Sequence, residues 1–178
     1  MIELVELTKY YGKIRGIEKV NLKVGEGEVF GFLGPNGAGK TTTIRLMLDL
    51  IRPTSDSAYI MGHDCNKEPH KVKEFVEYLP GDFVAYDNLT CEEYINFIAG
   101  FYDYPKTSKR GYELIKYFEL DASRPVRNCS KGMKQKLGLI QAFMVDCPLY
   151  ILDEPTSALD PLIQQKFYSL VDEEKGKG

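Results

Sequence analysis

The stretch Gly34-Pro35-Asn36-Gly37-Ala38-Gly39-Lys40-Thr41 fits the phosphate-loop template G-x-x-x-x-G-K-[ST]. It is flanked on one side by the strand-like run Glu28-Val29-Phe30-Gly31-Phe32-Leu33 and on the other by a helix-like run. A strand, a glycine-rich loop and a helix in that order constrain the fold to an α/β layer in which the loop turns main-chain N–H groups inward. Glycines permit that turn because no Cβ stands in the way, and the result is a concave nest for anionic oxygens. The helix beginning near Lys40 points its N-terminal amides and dipole at the same spot. Lys40 then supplies a point charge to the β- and γ-phosphates, and the Thr41 hydroxyl a ligand for Mg²⁺. The competing interpretation, a glycine-rich turn between strand and helix, does not require the lysine and the hydroxyl at fixed positions. The pattern predicts a nucleoside triphosphate site.

The rest of the composition narrows the class. The 178 residues suit one domain, or one domain carrying an inserted lobe. A net charge of −3 provides no electrostatic case for nucleic acid or for an anionic bilayer. No apolar run approaches the roughly 20 residues that a spanning helix needs, and the N-terminus has neither a basic region nor an apolar signal core. Cys65, Cys91, Cys129 and Cys147 form no CxxC pair, and a reduced cytoplasmic setting is expected, with the thiols as small apolar residues. His63 and His70 lack ligand-like spacing.

Apolar alternation predicts strands at 2–10 and 17–24, a buried strand at 28–33, and further strands at 57–61, 75–79 and 149–152. Ile44, Met47, Leu48 and Ile51 predict a helix that Pro53 stops, and a short helix passes through Val72. From residue 88 the pattern turns helical. Thr90 and Glu93 form a capping box before Tyr94, Ile95, Phe97 and Ile98. A second helix is expected from about Ser108, and a third from Ser130 as N-cap, with Met133, Leu137, Ile140 and Met144 on one face. Asp160-Pro161 opens the last helix. Helices without intervening strands, set inside an α/β pattern, predict an inserted lobe at 88–146.

The second half of the chemistry follows the run Leu149-Tyr150-Ile151-Leu152, which ends in Asp153-Glu154-Pro155. Open α/β sheets bind ligands at the C-terminal ends of their strands, which is where both carboxylates fall. Asp153 is expected to hold the Mg²⁺ that Thr41 also binds, and Glu154 to orient or deprotonate the attacking water.

At this point the chain resembles the ATPase subunit of an ATP-binding cassette (ABC) transporter. The resemblance is carried by residues 34–42, by Asn128-Cys129-Ser130-Lys131-Gly132-Met133-Lys134-Gln135-Lys136, and by 149–160, with Ser157-Ala158-Leu159-Asp160 matching the family's D-loop. It implies a P-loop NTPase fold of ABC type across 1–178: a RecA-like parallel-sheet core, an N-terminal antiparallel β subdomain and the helical signature lobe. It also implies ATP and Mg²⁺ as cofactors, with Gly34, Pro35, Asn36, Gly37, Ala38, Gly39, Lys40, Thr41 and Thr42 around the phosphates. Tyr11 stands where an aromatic ring stacks on adenine. Glu154 and Lys40 are the residues implied in catalysis, Thr41 and Asp153 those for the metal. Ser130 and Gly132 would contact the γ-phosphate held by a second ATPase domain in a head-to-tail pair. Implied partners are that second domain and a transmembrane permease subunit, placing the chain on the cytoplasmic face of the membrane. The implied function is to energise transport, with the resemblance tilting toward a prokaryotic exporter of drugs or peptides.

Three departures from the family stand out. The signature, usually Leu-Ser-Gly-Gly-Gln, differs at Cys129, Lys131 and Met133. Gly81-Asp82 stands where a Mg²⁺-contacting glutamine is expected after Leu79-Pro80, with Asp82 offering a carboxylate instead. The strand and switch histidine that follow the last helix in the family have no counterpart before Gly178, from which a fragment, a gap in the sheet or slow hydrolysis is expected. Other readings stay open: a soluble ABC ATPase acting in translation or repair, or a truncated nucleotide-binding module without full hydrolysis. A GTPase would need Asn-Lys-x-Asp, and Asn66-Lys67-Glu68-Pro69 fails at its last position.

Overall fold

The computed structural model describes residues 1–176 and divides into two compact units, Met1–Val76 with the residues from Lys175 on, and Glu77–Glu174. In the first unit, β1 (Ile2–Tyr11) and β2 (Ile14–Val24) form an antiparallel hairpin paired from Ile2↔Val24 to Tyr11↔Ile14. The other edge of β1 carries β3 (Ser55–Ile60), and β4 (His63–Asp64) closes the order β2-β1-β3-β4. The apolar alternation is only partial because Glu6, at φ 47°, inserts a bulge. The inward positions therefore shift from Ile2 and Leu4 to Leu7, and the pleat changes phase. The Asn21 side chain accepts the displaced Glu6 N–H at 2.9 Å, so the bulge leaves no unpaired donor there.

Helix α1 (Lys40–Met47) buries Ile44, Leu46 and Met47. It stops well before Pro53. Asp49 adopts φ 54°, Leu50 N–H bonds Arg45 O at 2.9 Å and Asp49 N–H bonds Leu46 O at 3.2 Å. That is a Schellman turn with an aspartate in the left-handed position, so local capping sets the end rather than the proline. A short helix, α2 (Pro69–Lys73), completes this unit.

One expected strand is absent. Residues 28–33 carry no regular secondary structure, and Leu33 is 91% exposed with Val29 57%. A strand of this kind is held by ladder bonds to neighbours on each side, and among the described residues none pairs with this run.

The second unit holds the two-stranded sheet of β5 (Val76–Leu79) and β6 (Leu149–Leu152) and most of the helices. The Thr90–Glu93 capping box forms as expected and opens α3 (Cys91–Ala99). Helix α4 (Tyr104–Tyr117) starts four residues before Ser108, because Pro105 in the first turn favours initiation there. Ser130 caps α5 (Lys131–Phe143), and Asp160 accepts Ile163 N–H at 3.0 Å ahead of α6 (Pro161–Lys175). Phe118, Ile95, Leu114, Leu137, Ile140 and Leu170 make the centre of this unit's core. Burying a side chain such as Phe118 is worth roughly 1.5–3 kcal/mol.

Glu77 on β5 is buried, and burial raises its pKa from the ordinary 4.5, partly offset by the hydrogen bond that Tyr102 Oη donates at 2.7 Å. A carboxyl whose folded pKa lies above its unfolded one stabilises the fold below the unfolded value and loses that contribution as pH rises through the folded one. Glu77→Gln, which keeps an acceptor for Tyr102, should therefore gain stability over wild type as pH climbs above 4.5. Urea unfolding of both proteins across pH measures it, and a constant difference at all pH values would contradict the assignment.

Candidate functional site

In the first unit, the loop of residues 34–39 is exposed and passes into α1 through Gly39, the helix's N-cap. Gly37 and Gly39 both have positive φ, at 82° and 90°. Gly39 is doubly constrained, since a Cβ there would lie 2.3 Å from Ile17 Cγ2 and 3.2 Å from Gly16 O. Strand β2 thus presses on the loop at the point where the chain turns, and only glycine fits. Ala38 N–H closes a turn onto Pro35 O at 3.1 Å, and Thr43 donates both its N–H and its hydroxyl to Gly39 O. Lys40 folds back along the loop, its ammonium donating to the carbonyls of Gly34 at 2.6 Å and Pro35 at 3.1 Å. Thr41 and Thr42 lie in the first turn of α1, half-buried, where helix N–H groups have no intrahelical acceptor. Pro35 and Asn36 complete the exposed rim.

Tyr11, at the end of β1, is about half exposed. The Lys9 ammonium lies 5.2 Å from its ring centroid, and Gly16 lies so near that a Cβ there would meet the ring at 3.0 Å. The ring is therefore braced from within its own sheet while leaving a surface open to a planar group.

In the second unit, Asp153 follows β6 directly, is buried, and donates its N–H to Leu79 O at 2.9 Å. The residue beside its carboxyl is Gly81, where a Cβ would lie 3.7 Å from Asp153 Cγ. Asp82, one position on, is exposed. Glu154 is exposed and held at φ 50°, a left-handed conformation that costs a non-glycine residue about 1–3 kcal/mol. Its turn is fixed by Ser157 N–H to Glu154 O at 3.0 Å.

The signature segment meets that same turn. Ser130 is exposed and accepts Met133 N–H at 3.2 Å, as an N-cap should. Gly132 approaches the backbone so closely that a Cβ would lie 2.6 Å from Ala158 O. Gln135, buried at 3% exposure, donates its amide to Pro155 O at 3.0 Å and Glu154 O at 3.4 Å. Sequence reasoning assigned Gln135 no role. Its signal was a polar residue one step off the apolar face of a helix that is in fact buried nearly all round.

Among the described residues no group of three or more His, Cys, Asp or Glu side chains forms a metal cage. Magnesium does not require one, since it takes one or two carboxylates and completes its shell with phosphate oxygens and water. A buried carboxylate such as that of Asp153 is a donor of that kind.

Residues 17–157 match the sequence family described as ABC transporter. The probable multidrug ABC transporter ATP-binding protein YbhF of Escherichia coli is 36% identical over the whole of this chain, which spans 32% of that relative's length. A solved ATP-binding subunit of an ABC transporter superimposes with a TM-score of 0.90 at 34% identity, covering 100% of this chain and 76% of that one. A dimeric ATP-binding cassette in a post-hydrolysis state, bound to ADP and Pi, superimposes with a TM-score of 0.87 at 25% identity, covering 99% of this chain and 84% of that one.

The contact at Gly132 makes a direct prediction. Gly132→Ala must push the Ala158 carbonyl away, an overpacking cost of about 1–3 kcal/mol, which in a chain of this size lowers Tm by roughly 2–12 °C. Calorimetry measures it, and an unchanged Tm would contradict the close approach.

Proposed function

Because the chain belongs to the ABC transporter ATP-binding family, we propose that it binds MgATP at residues 34–42, hydrolyses it, and so energises a membrane-embedded transport partner. The observation that carries the binding step is the Gly39–Lys40 junction. A left-handed glycine there turns the loop into the α1 N-terminus, and the lysine is already bonded along the loop. Main-chain N–H groups, the helix dipole and one ammonium together suit a triphosphate. Thr41 and Asp153 are the residues that would hold Mg²⁺, which supplies charge neutralisation at the transferring phosphoryl group. Glu154 accepts the proton of the attacking water or orients it, and its exposed, left-handed position leaves the carboxylate unburied for that task. Tyr11 stacks on the adenine.

Ser130 and Gly132 act on the nucleotide of a second ATPase domain, which is the role their exposed helix N-terminus suits. Residues 88–146 form the inserted helical lobe within an ATPase domain over 1–178. Phe97 and Phe101 on that lobe and Tyr86 just ahead of it are exposed, with Phe97 meeting both of the other rings edge to face. An apolar aromatic strip of this sort supports docking of a permease subunit. No described helix is long and apolar enough to cross a membrane. In this reading the transport path is formed by that partner, with this chain at its cytoplasmic face. The multidrug description of the Escherichia coli relative supports an exporter.

Lys40→Ala should weaken ATP binding by at least about tenfold, or 1.4 kcal/mol, while Glu154→Gln keeps ATP bound and slows single-turnover cleavage about 10²–10⁴-fold. Calorimetric titration and single-turnover cleavage read the two effects. Unchanged ATP affinity in Lys40→Ala would overturn the loop assignment, and unchanged cleavage in Glu154→Gln would overturn the role of the glutamate.

A further inference from the structure

Two of the four cysteines meet. Cys91 Sγ lies 3.5 Å from Cys129 Sγ, although 38 residues separate them. Cys91 is the first residue of α3, fully buried behind its Thr90 cap. Cys129 is half-buried and immediately precedes Ser130, the N-cap of α5. The pair is brought together by main chain rather than by side-chain chance. Cys91 N–H bonds Arg124 O at 3.0 Å, Glu92 N–H bonds Ala122 O at 2.9 Å, and Val126 N–H bonds Leu89 O at 2.9 Å. Thr90 and Pro125 add an isolated antiparallel bridge. The segment that leads to Ser130 is thus laced to the start of α3, with one thiol on each side of the lacing.

We propose that Cys91 and Cys129 are a reversible thiol–disulfide site that, when oxidised, fastens the segment leading to Ser130 onto α3. A disulfide needs about 2.05 Å between its sulfurs, so the 3.5 Å gap closes with a shift of about 1.5 Å. The oxidant is a small disulfide. The Cys129 thiolate, the more accessible of the two, attacks one of its sulfurs; a mixed disulfide forms and the first small thiolate leaves. The Cys91 sulfur, giving up its proton, then attacks the Cys129 sulfur and expels the second small thiolate. Two protein thiols are oxidised, one small disulfide is reduced, and the two protons end on the released thiols. Burial, reinforced by the neighbouring Cys129 sulfur, raises the Cys91 thiol pKa, which fits Cys91 as the second rather than the first to react. Its consequence for turnover rests on the nucleotide reading above; the cross-link itself does not.

The test treats the protein with oxidised glutathione, maps peptides by mass, and follows amide hydrogen exchange. The expected result is loss of two of the four thiols, a Cys91–Cys129 peptide, slower exchange across residues 126–134, and reversal by dithiothreitol. Cys129→Ser and, independently, Cys91→Ala should each abolish the cross-link. ATP turnover of the oxidised protein should fall about fivefold or more, and recover on reduction. Four free thiols, or a glutathione adduct that persists on Cys129 unresolved, would overturn the site. A cross-link that leaves both exchange and turnover unchanged would overturn its fastening effect. If the reduced protein turns over no ATP, the nucleotide reading fails while the mapped cross-link still decides this proposal.

Discussion

The close approach of β2 to the phosphate loop at Gly39 is the constraint on which the candidate site depends. An anion cradle made of main-chain amides needs a backbone that turns left-handed just before a helix begins, and needs it fixed. Here φ of 90° and an absent Cβ let Ile17 and Gly16 pack directly on the turn, so the sheet braces the loop. The same junction sets where α1 starts, and with it the direction of the amides and of Lys40. Antiparallel pairing of β1 with β2 and β3 is what holds Ile17 at that position.

The second unit depends on a comparable arrangement, built around a turn rather than a loop. Asp153 is anchored to β5 through Leu79 O, and Glu154 turns left-handed. The carbonyls of Glu154, Pro155 and Ala158 are then met by α5 through Gln135 and the bare face of Gly132. The cost of a strained glutamate is offset by these hydrogen bonds and by the packing of α5 around them. One consequence is mechanical. The helix that begins at Ser130 and the turn that carries Glu154 share contacts, so a displacement of one is felt by the other.

Features written into a few consecutive residues were legible in the sequence. Thr90 with Glu93, Ser130, and Asp160 with Pro161 each mark a helix start by chemistry contained within one turn, and each start lies where expected. The start of α1 near Lys40 was legible for the same reason, because Gly39 and Lys40 act on neighbouring backbone. Features that depend on partners distant in sequence were not. The run 28–33 has the composition of a buried strand, yet strand formation requires neighbours that its own residues do not specify. The end of α1 was misplaced because Asp49, not a glycine, takes the left-handed cap. Gln135 and the Cys91–Cys129 contact were invisible because each is defined by a partner more than a dozen residues away.

The central claim is that triphosphate oxygens occupy the amide cradle that Gly39 shapes. A crystal structure of the protein with ATP and magnesium tests it most directly. The account predicts the β- and γ-phosphates among the main-chain N–H groups of residues 36–41, with the Lys40 ammonium drawn from the Gly34 and Pro35 carbonyls onto phosphate oxygen. A nucleotide lodged elsewhere, with Lys40 still bonded to those two carbonyls, would contradict it.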